Sequence, residues 1–259
     1  MSTIDPTTRR VPPLGGFNPT LLVIELRRML RNRRTIVFTL LMPAILALIF
    51  VGQDGWDEKA GSGNVGAYIL ISIALYAAAL TSAASGAMVA LERATGWSRQ
   101  LRLTPLNPVA YILVKALLAL AMGGIAIVVV NLVGVVEGKP DMPVGVWIAS
   151  GVLALVCTVT FAALGVFVGY LVPGENAMQI LGPGLAALSF LGGVFIPLDT
   201  YADVVRHIAY WTPMYGVAEI SRAPLTHELP WYAVVNAVVW LAIFIGGAAW
   251  RMSKDTARV

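Results

Sequence analysis

The stretch MPVGVWIASGVLALVCTVTFAALGVFVGYLVPG, from Met142 to Gly174, contains no Asp, Glu, Lys or Arg. A helix needs about 20 residues to cross the hydrocarbon core of a bilayer, because each residue adds about 1.5 Å. The stretch is therefore long enough for one membrane-spanning helix and too short for two. It predicts an integral membrane protein.

The composition of the whole chain agrees with a membrane protein. Of its 259 residues, 58% are apolar and 12% are charged, and the mean hydropathy is +0.79. An ordinary soluble domain has roughly a quarter of its residues charged. The composition therefore excludes most soluble classes. The net charge of +4 is first expected to come from basic residues at the cytoplasmic ends of spans, and not from a nucleic-acid interface.

Five further stretches without charged residues lie at 35–53, 60–91, 116–136, 176–198 and 229–250. Each of them can also cross a bilayer once. We predict an all-α integral membrane protein with one transmembrane domain at residues 35–250. Its six transmembrane helices are expected at residues 35–53, 64–91, 109–136, 143–172, 177–198 and 230–250.

The basic residues predict the orientation of these helices. If the N-terminus is cytoplasmic, the inner segments hold 14 of the 18 Lys and Arg residues. An excess of Lys and Arg marks the cytoplasmic side of a membrane protein. We therefore expect both termini in the cytoplasm. Fourteen Arg against four Lys, with abundant Ala, Val and Gly, favours a high-GC bacterium and thus its plasma membrane.

The residues before the first span divide into a flexible tail, residues 1–17, and an amphipathic helix, residues 18–34. Asn18 followed by Pro19 is typical of a helix N-cap with proline in the first turn. Apolar residues of this helix share one side, and on the other side lie basic residues that include Arg27, Arg28 and Arg31. The pattern predicts a helix lying at the inner membrane surface with its cations near anionic headgroups. Residues 251–259 are expected to form a second cytoplasmic tail.

The segment between the fifth and sixth spans, Asp199 to Pro230, differs from an ordinary loop. Apolar side chains recur there at helical spacing, at Val204, Val205, Ile208 and Trp211. Tyr and Trp residues are dense in the same region, as is typical of a membrane interface. We predict a short outer segment that is interfacial or re-entrant.

The chain lacks the residue sets that catalysis and energy coupling need. The single cysteine, Cys157, excludes an intrachain disulfide, and one Cys with two His leaves no basis for a metal centre. Ser82 and Ser85 lie in the second span without a nucleophile turn and are expected to pack helices. No ionisable residue lies near the middle of a span, which counts against an ion-coupled carrier. The phosphate-binding pattern G-x-x-x-x-G-K-[ST] is also missing, so this chain cannot bind ATP by that motif.

The inner loop after the second span reads ERATGWSRQLRLTPLNP, from Glu92 to Pro108. It resembles the cytoplasmic signature of ABC type-2 transporter permeases, E-R-x-x-G-[ST]-x-E-x-L-x-x-T-P-L-x-P. Eight residues match in order: Glu92, Arg93, Gly96, Leu101, Thr104, Pro105, Leu106 and Pro108. Arg99 stands where the family has an acidic residue. A second stretch, GGVFIPL at 192–198 followed by TPMY at 212–215, is similar to the end of the family's fifth span and to its outer segment.

The resemblance implies a non-catalytic permease subunit with a coupling helix in the inner loop. The residues that would couple it to a separate ABC ATPase subunit are Glu92, Arg93, Gly96, Trp97, Arg99, Leu101, Thr104 and Pro105. It also implies two permease chains, identical or not, with two ATPase subunits. No cofactor is expected in this chain, and ATP and Mg are expected in the ATPase. In the family the helix that carries Arg27, Arg28 and Arg31 also lies near that subunit.

The absence of charges within the spans suits a hydrophobic or amphipathic cargo that is exported: a drug, a natural product, a lipid or a lipid-linked glycan. The route would lie between the two permease chains, and candidate lining residues are Phe38, Tyr76, Phe190 and Phe195. Two alternatives stay open. The chain could be a membrane-embedded lipid-modifying enzyme, or it could be a passive channel or assembly scaffold that works without an ATPase.

Overall fold

The computed structural model of the chain describes residues 18–53, 55–96, 108–172 and 176–256. The short strands β1 (Lys59–Ala60) and β2 (Gly63–Asn64) form an antiparallel hairpin. The remaining regular structure of the described residues is helical, in the order α1 (Pro19–Arg31), α2 (Arg33–Ile36), α3 (Met42–Val51), α4 (Val65–Ala94), α5 (Pro108–Glu137), α6 (Val144–Leu171), α7 (Asn176–Leu191), α8 (Asp203–Ala209), α9 (Pro213–Thr226) and α10 (Trp231–Thr256).

Four of these helices, α4, α5, α6 and α10, are long and apolar enough to cross a membrane. They correspond to the second, third, fourth and sixth predicted spans, and they make the chain a multi-pass membrane protein. The other two predicted spans contain shorter apolar helices, α3 and α7. The six-span topology therefore stays a prediction.

The helix of the first predicted span is interrupted just before Pro43. A π-helical turn, Val37–Leu41, joins α2 to α3, and the N–H of Met42 donates to the carbonyl of Val37. Proline has no N–H, and its ring clashes with the carbonyl four residues earlier in an α-helix. The wider π turn avoids this clash. Residues 33–51 thus stay helical, but only the part from Met42 onward forms the α-helix α3.

The fifth predicted span ends earlier than expected. Helix α7 stops at Leu191, whereas the sequence predicts a helix up to Leu198. Gly193 follows with a φ of +74°, a left-handed conformation that favours glycine and commonly ends helices. The N–H of Val194 bonds back to the carbonyl of Ser189. The chain then turns through a short 3-10 segment, Leu198–Thr200, towards α8.

Helix α4 lies at the centre of the bundle and packs against α5, α6, α7, α3 and α9. Its contact with α6 depends on glycine. A Cβ atom on Gly165 would lie 2.0 Å from the carbonyl oxygen of Ala83, and one on Gly86 would lie 2.4 Å from that of Ala162. Small residues allow membrane helices to approach this closely. The other helices and both ends of the bundle are arranged around this closely packed α4–α6 pair.

The segment predicted to be interfacial or re-entrant forms α8 and α9. On and just after α8, Val204, Ile208 and Trp211 are exposed, whereas much of α9 is buried against the bundle. The hairpin covers the end of α9, where Ser62 bonds to the carbonyl of Leu225. These elements close the end of the bundle at which α4 begins.

Candidate coupling site

A buried cluster of charged side chains lies where α4 ends. Lys115 of α5 forms an ion pair with Glu92 of α4, and its Nζ lies 3.4 Å from Oε2 of Glu25 on α1. The hydroxyl of Tyr111 donates to the second carboxylate oxygen of Glu92. Exposed fractions are only 1% for Glu92, 3% for Lys115 and 6% for Glu25. These four residues, hereafter the Glu92 cluster, join α1, α4 and α5.

Local helix geometry explains why these side chains meet. Tyr111 and Lys115 are at i and i+4 on α5, so they lie on one face and both reach Glu92. Glu25 lies on the face of α1 that packs against α5, where Met29 contacts Leu118 and Met122. A charge inside a membrane protein is costly unless it is paired and hydrogen-bonded. Here both oxygens of Glu92 have partners.

Arg93, the next residue, points to a different helix. Its guanidinium donates to the carbonyls of Gly169 and Tyr170, both at 3.3 Å, and lies 5.0 Å from the centre of the Tyr170 ring. These carbonyls belong to the last turn of α6, where helix carbonyls lack intrahelical partners and the helix dipole is negative. Two adjacent residues therefore connect the end of α4 to two neighbours, Glu92 to α5 and Arg93 to α6, and Lys115 extends the first connection to α1.

Gly96 ends the described part of the inner loop. Its φ is +73°, and a Cβ atom there would meet nothing within 4 Å. The glycine is thus required by the backbone conformation and not by crowding. Thr95 bonds to the carbonyl of Leu91 and completes the cap. The other predicted coupling residues, Trp97, Arg99, Leu101, Thr104 and Pro105, lie outside the described residues.

The predicted interfacial helix has the cap that the sequence indicates. Asn18 accepts a hydrogen bond from the N–H of Thr20 at 2.8 Å, and Pro19 begins α1. Arg27, Arg28 and Arg31 are all exposed. The basic face of α1 can therefore meet headgroups or another protein, while its opposite face is packed on α5.

The predicted route residues lie around the half of α4 that is farther from the Glu92 cluster. The rings of Tyr76 and Phe195 contact edge to face with centroids 4.9 Å apart, and Phe190 lies 4.9 Å from Phe195. Tyr76 is buried and Phe190 is half exposed. Phe38 lies in the π-helical turn, and its side chain is outside the described part of the structure. Three of the four predicted residues are thus brought together.

An apolar cavity of about 190 Å³ lies beside the Glu92 cluster. Tyr111, Lys115 and Tyr170 line it, and the remainder of its wall comes from apolar residues of α4, α5, α6 and α10. Among the described residues, no group of three or more His, Cys, Asp or Glu side chains is arranged to hold a metal ion. The cavity can accommodate an apolar group.

Glu25, Tyr111 and Lys115 are not among the residues that the sequence predicts for coupling. The charges of Glu25 and Lys115 lie near span ends, where they indicate topology, and Tyr111 lies outside the signature. Two signals were present. Glu25 is the one acidic residue of a basic helix, and Tyr111 and Lys115 share one side of a span at i, i+4 spacing. Arg222 is one of the four Lys and Arg residues that lie outside the predicted inner segments. Its side chain is 2% exposed, and the sequence does not indicate this burial.

Comparison with known proteins gives two matches. A family model described as ABC-2 type transporter matches residues 19–226. The chain is 26% identical over 231 residues to the Bacillus subtilis (strain 168) protein named "Putative transport permease YvfS", a match that covers 86% of this chain and 91% of that protein. The matched residues include the Glu92 cluster and the segment from α7 to α9.

Proposed function

Because this chain belongs to the ABC-2 type transporter family, we propose that it forms the export route of a transporter driven by a separate ATPase subunit. Members of this family are non-catalytic membrane permeases that generally pair with ATPase subunits. Membership counts against the lipid-modifying enzyme considered above. The observation that carries the specific proposal is the Glu92 cluster. It joins α4, where the coupling sequence begins, to α5 and α1.

The proposed topology has six spans. The helical segment 33–51 and α7 serve as the first and fifth spans, together with the four long helices. Both termini then lie in the cytoplasm, with residues 1–17 and 251–259 as tails and 18–34 at the inner surface. The distribution of Lys and Arg supports this orientation. The Glu92 cluster is at the cytoplasmic end and the hairpin is at the outer end.

In this arrangement the segment after Gly96 contacts the ATPase, and Glu92 and Arg93 receive its movement. Glu92 itself is buried, so its part is to hold the end of α4 against α5, whose Lys115 reaches Glu25 of α1. Arg93 holds the same end against α6. Each charge of the buried cluster has a partner, and separating these charges inside the bundle is costly, so the cluster resists deformation. Movement of the loop therefore carries these helix ends with it.

Two of the permease chains, the same or different, would form the route together with two ATPase subunits. Helices α3 and α7 carry exposed apolar side chains that are available for a contact between chains there. Phe190 and Phe195 would line the outer part of the route, and the buried Tyr76 would support Phe195 from within the chain. This apolar lining supports a hydrophobic or amphipathic cargo such as a drug, natural product, lipid or lipid-linked glycan.

The test is to purify the tagged chain from its own membranes in mild detergent and identify what copurifies. We expect an ATPase with a Walker motif at one copy per permease chain. The paired variant Glu92→Ala, Arg93→Ala should still insert in the membrane but should lose the change in ATPase rate that the wild-type chain causes. Arg206→Ala, at an exposed ion pair on α8, is the control. Export by the purified chain in vesicles without any ATPase would refute the proposal.

A further inference from the structure

At the opposite end of α4 from the Glu92 cluster, a second buried cation joins three parts of the chain. Arg222 of α9 is 2% exposed. Its Nε and Nη2 donate to Oγ of Ser72 on α4 at 3.0 and 2.8 Å, and Nη2 also donates to the carbonyls of Gly193 and Val194 at 2.7 and 3.3 Å. Gly193 and Val194 form the turn that ends α7.

The surroundings of Arg222 leave its charge well supported. Nη1 lies 3.7 Å from the carboxylate of Glu219, one turn earlier on α9, and the guanidinium lies 4.1 Å from the centre of the Tyr68 ring. The two carbonyls stand at the C-terminal end of α7, where a cation is favourable for the helix dipole. A guanidinium stays charged in proteins and offers five donors in a fixed plane, which suits several acceptors at once.

A side chain that only filled space here would not need to be charged. Burying a charged group is costly, and well-packed apolar residues often replace a buried ion pair without loss of stability. The specific consequence of Arg222 is geometric, because it fixes α9 and the end of α7 to one oxygen atom on α4. Ser72 lies one turn before Tyr76 on the same face of α4. Phe195, next to Val194, packs on Tyr76.

We propose that Arg222 is a positioning residue that holds the Tyr76–Phe195 contact closed and so sets the outer gate of the export route. Ser72 and Glu92 are both on α4, and a rise of about 1.5 Å per residue separates them by about 30 Å along the helix axis. Helix α4 therefore carries the inner cluster at one end and the Arg222 contact at the other. Movement at the ATPase side reaches the gate through this single buried helix. The inference rests on the proposed function.

The test measures access to the gate by chemical labelling. An Ala79→Cys chain, which keeps both rings of the gate, is treated with a membrane-impermeant maleimide from the outside, with and without ATP loaded on the cytoplasmic side of the complex. Ala79 is buried on α4, one turn after Tyr76 and on the far side of it from Ser72. Cys157 is buried, so the unmodified chain gives the background. We expect slow labelling of Ala79→Cys without nucleotide and faster labelling with ATP.

Arg222→Lys keeps the charge but cannot reach Ser72 and both carbonyls together. We expect it to raise the labelling rate without nucleotide by about tenfold, the factor for loss of one hydrogen bond to a charged group, and to abolish the response to ATP. Ser72→Ala should act in the same direction. Arg206 lies on α8 in an ion pair with the exposed Asp203. Arg206→Lys should therefore leave the labelling rate unchanged. Ile196→Cys, already accessible, should label equally in every background and reports correct folding.

Two results have different meanings. If Ala79→Cys is labelled at the parent rate in the Arg222→Lys and Ser72→Ala backgrounds, Arg222 does not position the gate and the inference is wrong. If the parent chain shows no response to ATP but the variants still label faster, the positioning role stands and the proposed ATPase coupling fails. The labelling without nucleotide thus tests Arg222 independently of the ATPase.

Discussion

Replacing Lys115 by Met removes the only cation that the structure places between Glu25 and Glu92 among the described residues of the Glu92 cluster. At an effective dielectric constant of about 20, unit charges 3.4 Å apart attract by about 5 kcal/mol before desolvation is counted. Removing one partner of a buried pair costs about 3–5 kcal/mol, because the other charge is left uncompensated. We expect Lys115→Met to lower the free energy of unfolding by that amount.

A double-mutant cycle with Glu92→Gln separates the ion pair from general damage. Glutamine keeps an oxygen that can accept from Tyr111 and removes the charge. The double variant should therefore be more stable than the sum of the two single effects predicts, by about 2–3 kcal/mol. The assay is unfolding in mixed detergent micelles followed by circular dichroism of the helices.

The exposed pair of Asp203 and Arg206 on α8 is the matched control. Exposed pairs contribute about 0–1 kcal/mol, so Arg206→Met should have little effect. If Lys115→Met were no more destabilising than Arg206→Met, or if the cycle were additive to within about 0.5 kcal/mol, the Glu92 cluster would not hold the helix ends together and the coupling account would lose its basis.

Three further predictions concern packing, the inner loop and the outer surface. Gly165→Val should destabilise the bundle by about 1–3 kcal/mol through overpacking, since a Cβ at Gly165 would lie 2.0 Å from the carbonyl oxygen of Ala83. The control is Gly246→Ala, which should be neutral because a Cβ there has nothing within 4 Å. Thermal unfolding of the two variants measures the difference. Gly96→Pro should leave insertion and helix packing intact but abolish the effect of the permease on the ATPase rate. The reason is that proline cannot adopt the φ of +73° found at Gly96. A wild-type change in the ATPase rate would contradict the role of this cap. Trp211, 80% exposed on the outer segment, should be quenched by lipids brominated near the headgroup, and a Trp211→Phe chain should lose that part of the quenching. Quenching by water-soluble iodide instead would place Trp211 away from the bilayer.

The long spans could be predicted because each of them is a long apolar stretch of sequence. Helices α4, α5, α6 and α10 each exceed the length that a bilayer requires and carry few charges, so length and composition are sufficient. The shorter helices could not be read in the same way. Pro43 and Gly193 change the backbone locally, the first through a π turn and the second through a left-handed residue. The hydropathy of residues 35–53 and 177–198 does not register either event.

The candidate site was predicted in part, for a related reason. Glu92, Arg93 and Gly96 could be identified because they lie close together and match a family signature. Lys115 and Glu25 are distant from Glu92 along the chain, and nothing in a single sequence says that they meet. Arg222 belongs to the outer segment by sequence, and its neighbours along the chain do not show that it is buried. In each case the packing of helices brings together residues that are distant in the sequence, so the contact becomes visible only in the folded structure.

The most direct test of the central claim follows the movement itself. Spin labels at Ile196, exposed near the proposed outer end, report the distance between the two permease chains in the reconstituted complex with its ATPase. We predict that ATP changes this distance in the wild-type background and that Glu92→Gln, Lys115→Met abolishes the change while the ATPase stays bound. The same change of distance in both backgrounds would contradict coupling through the Glu92 cluster.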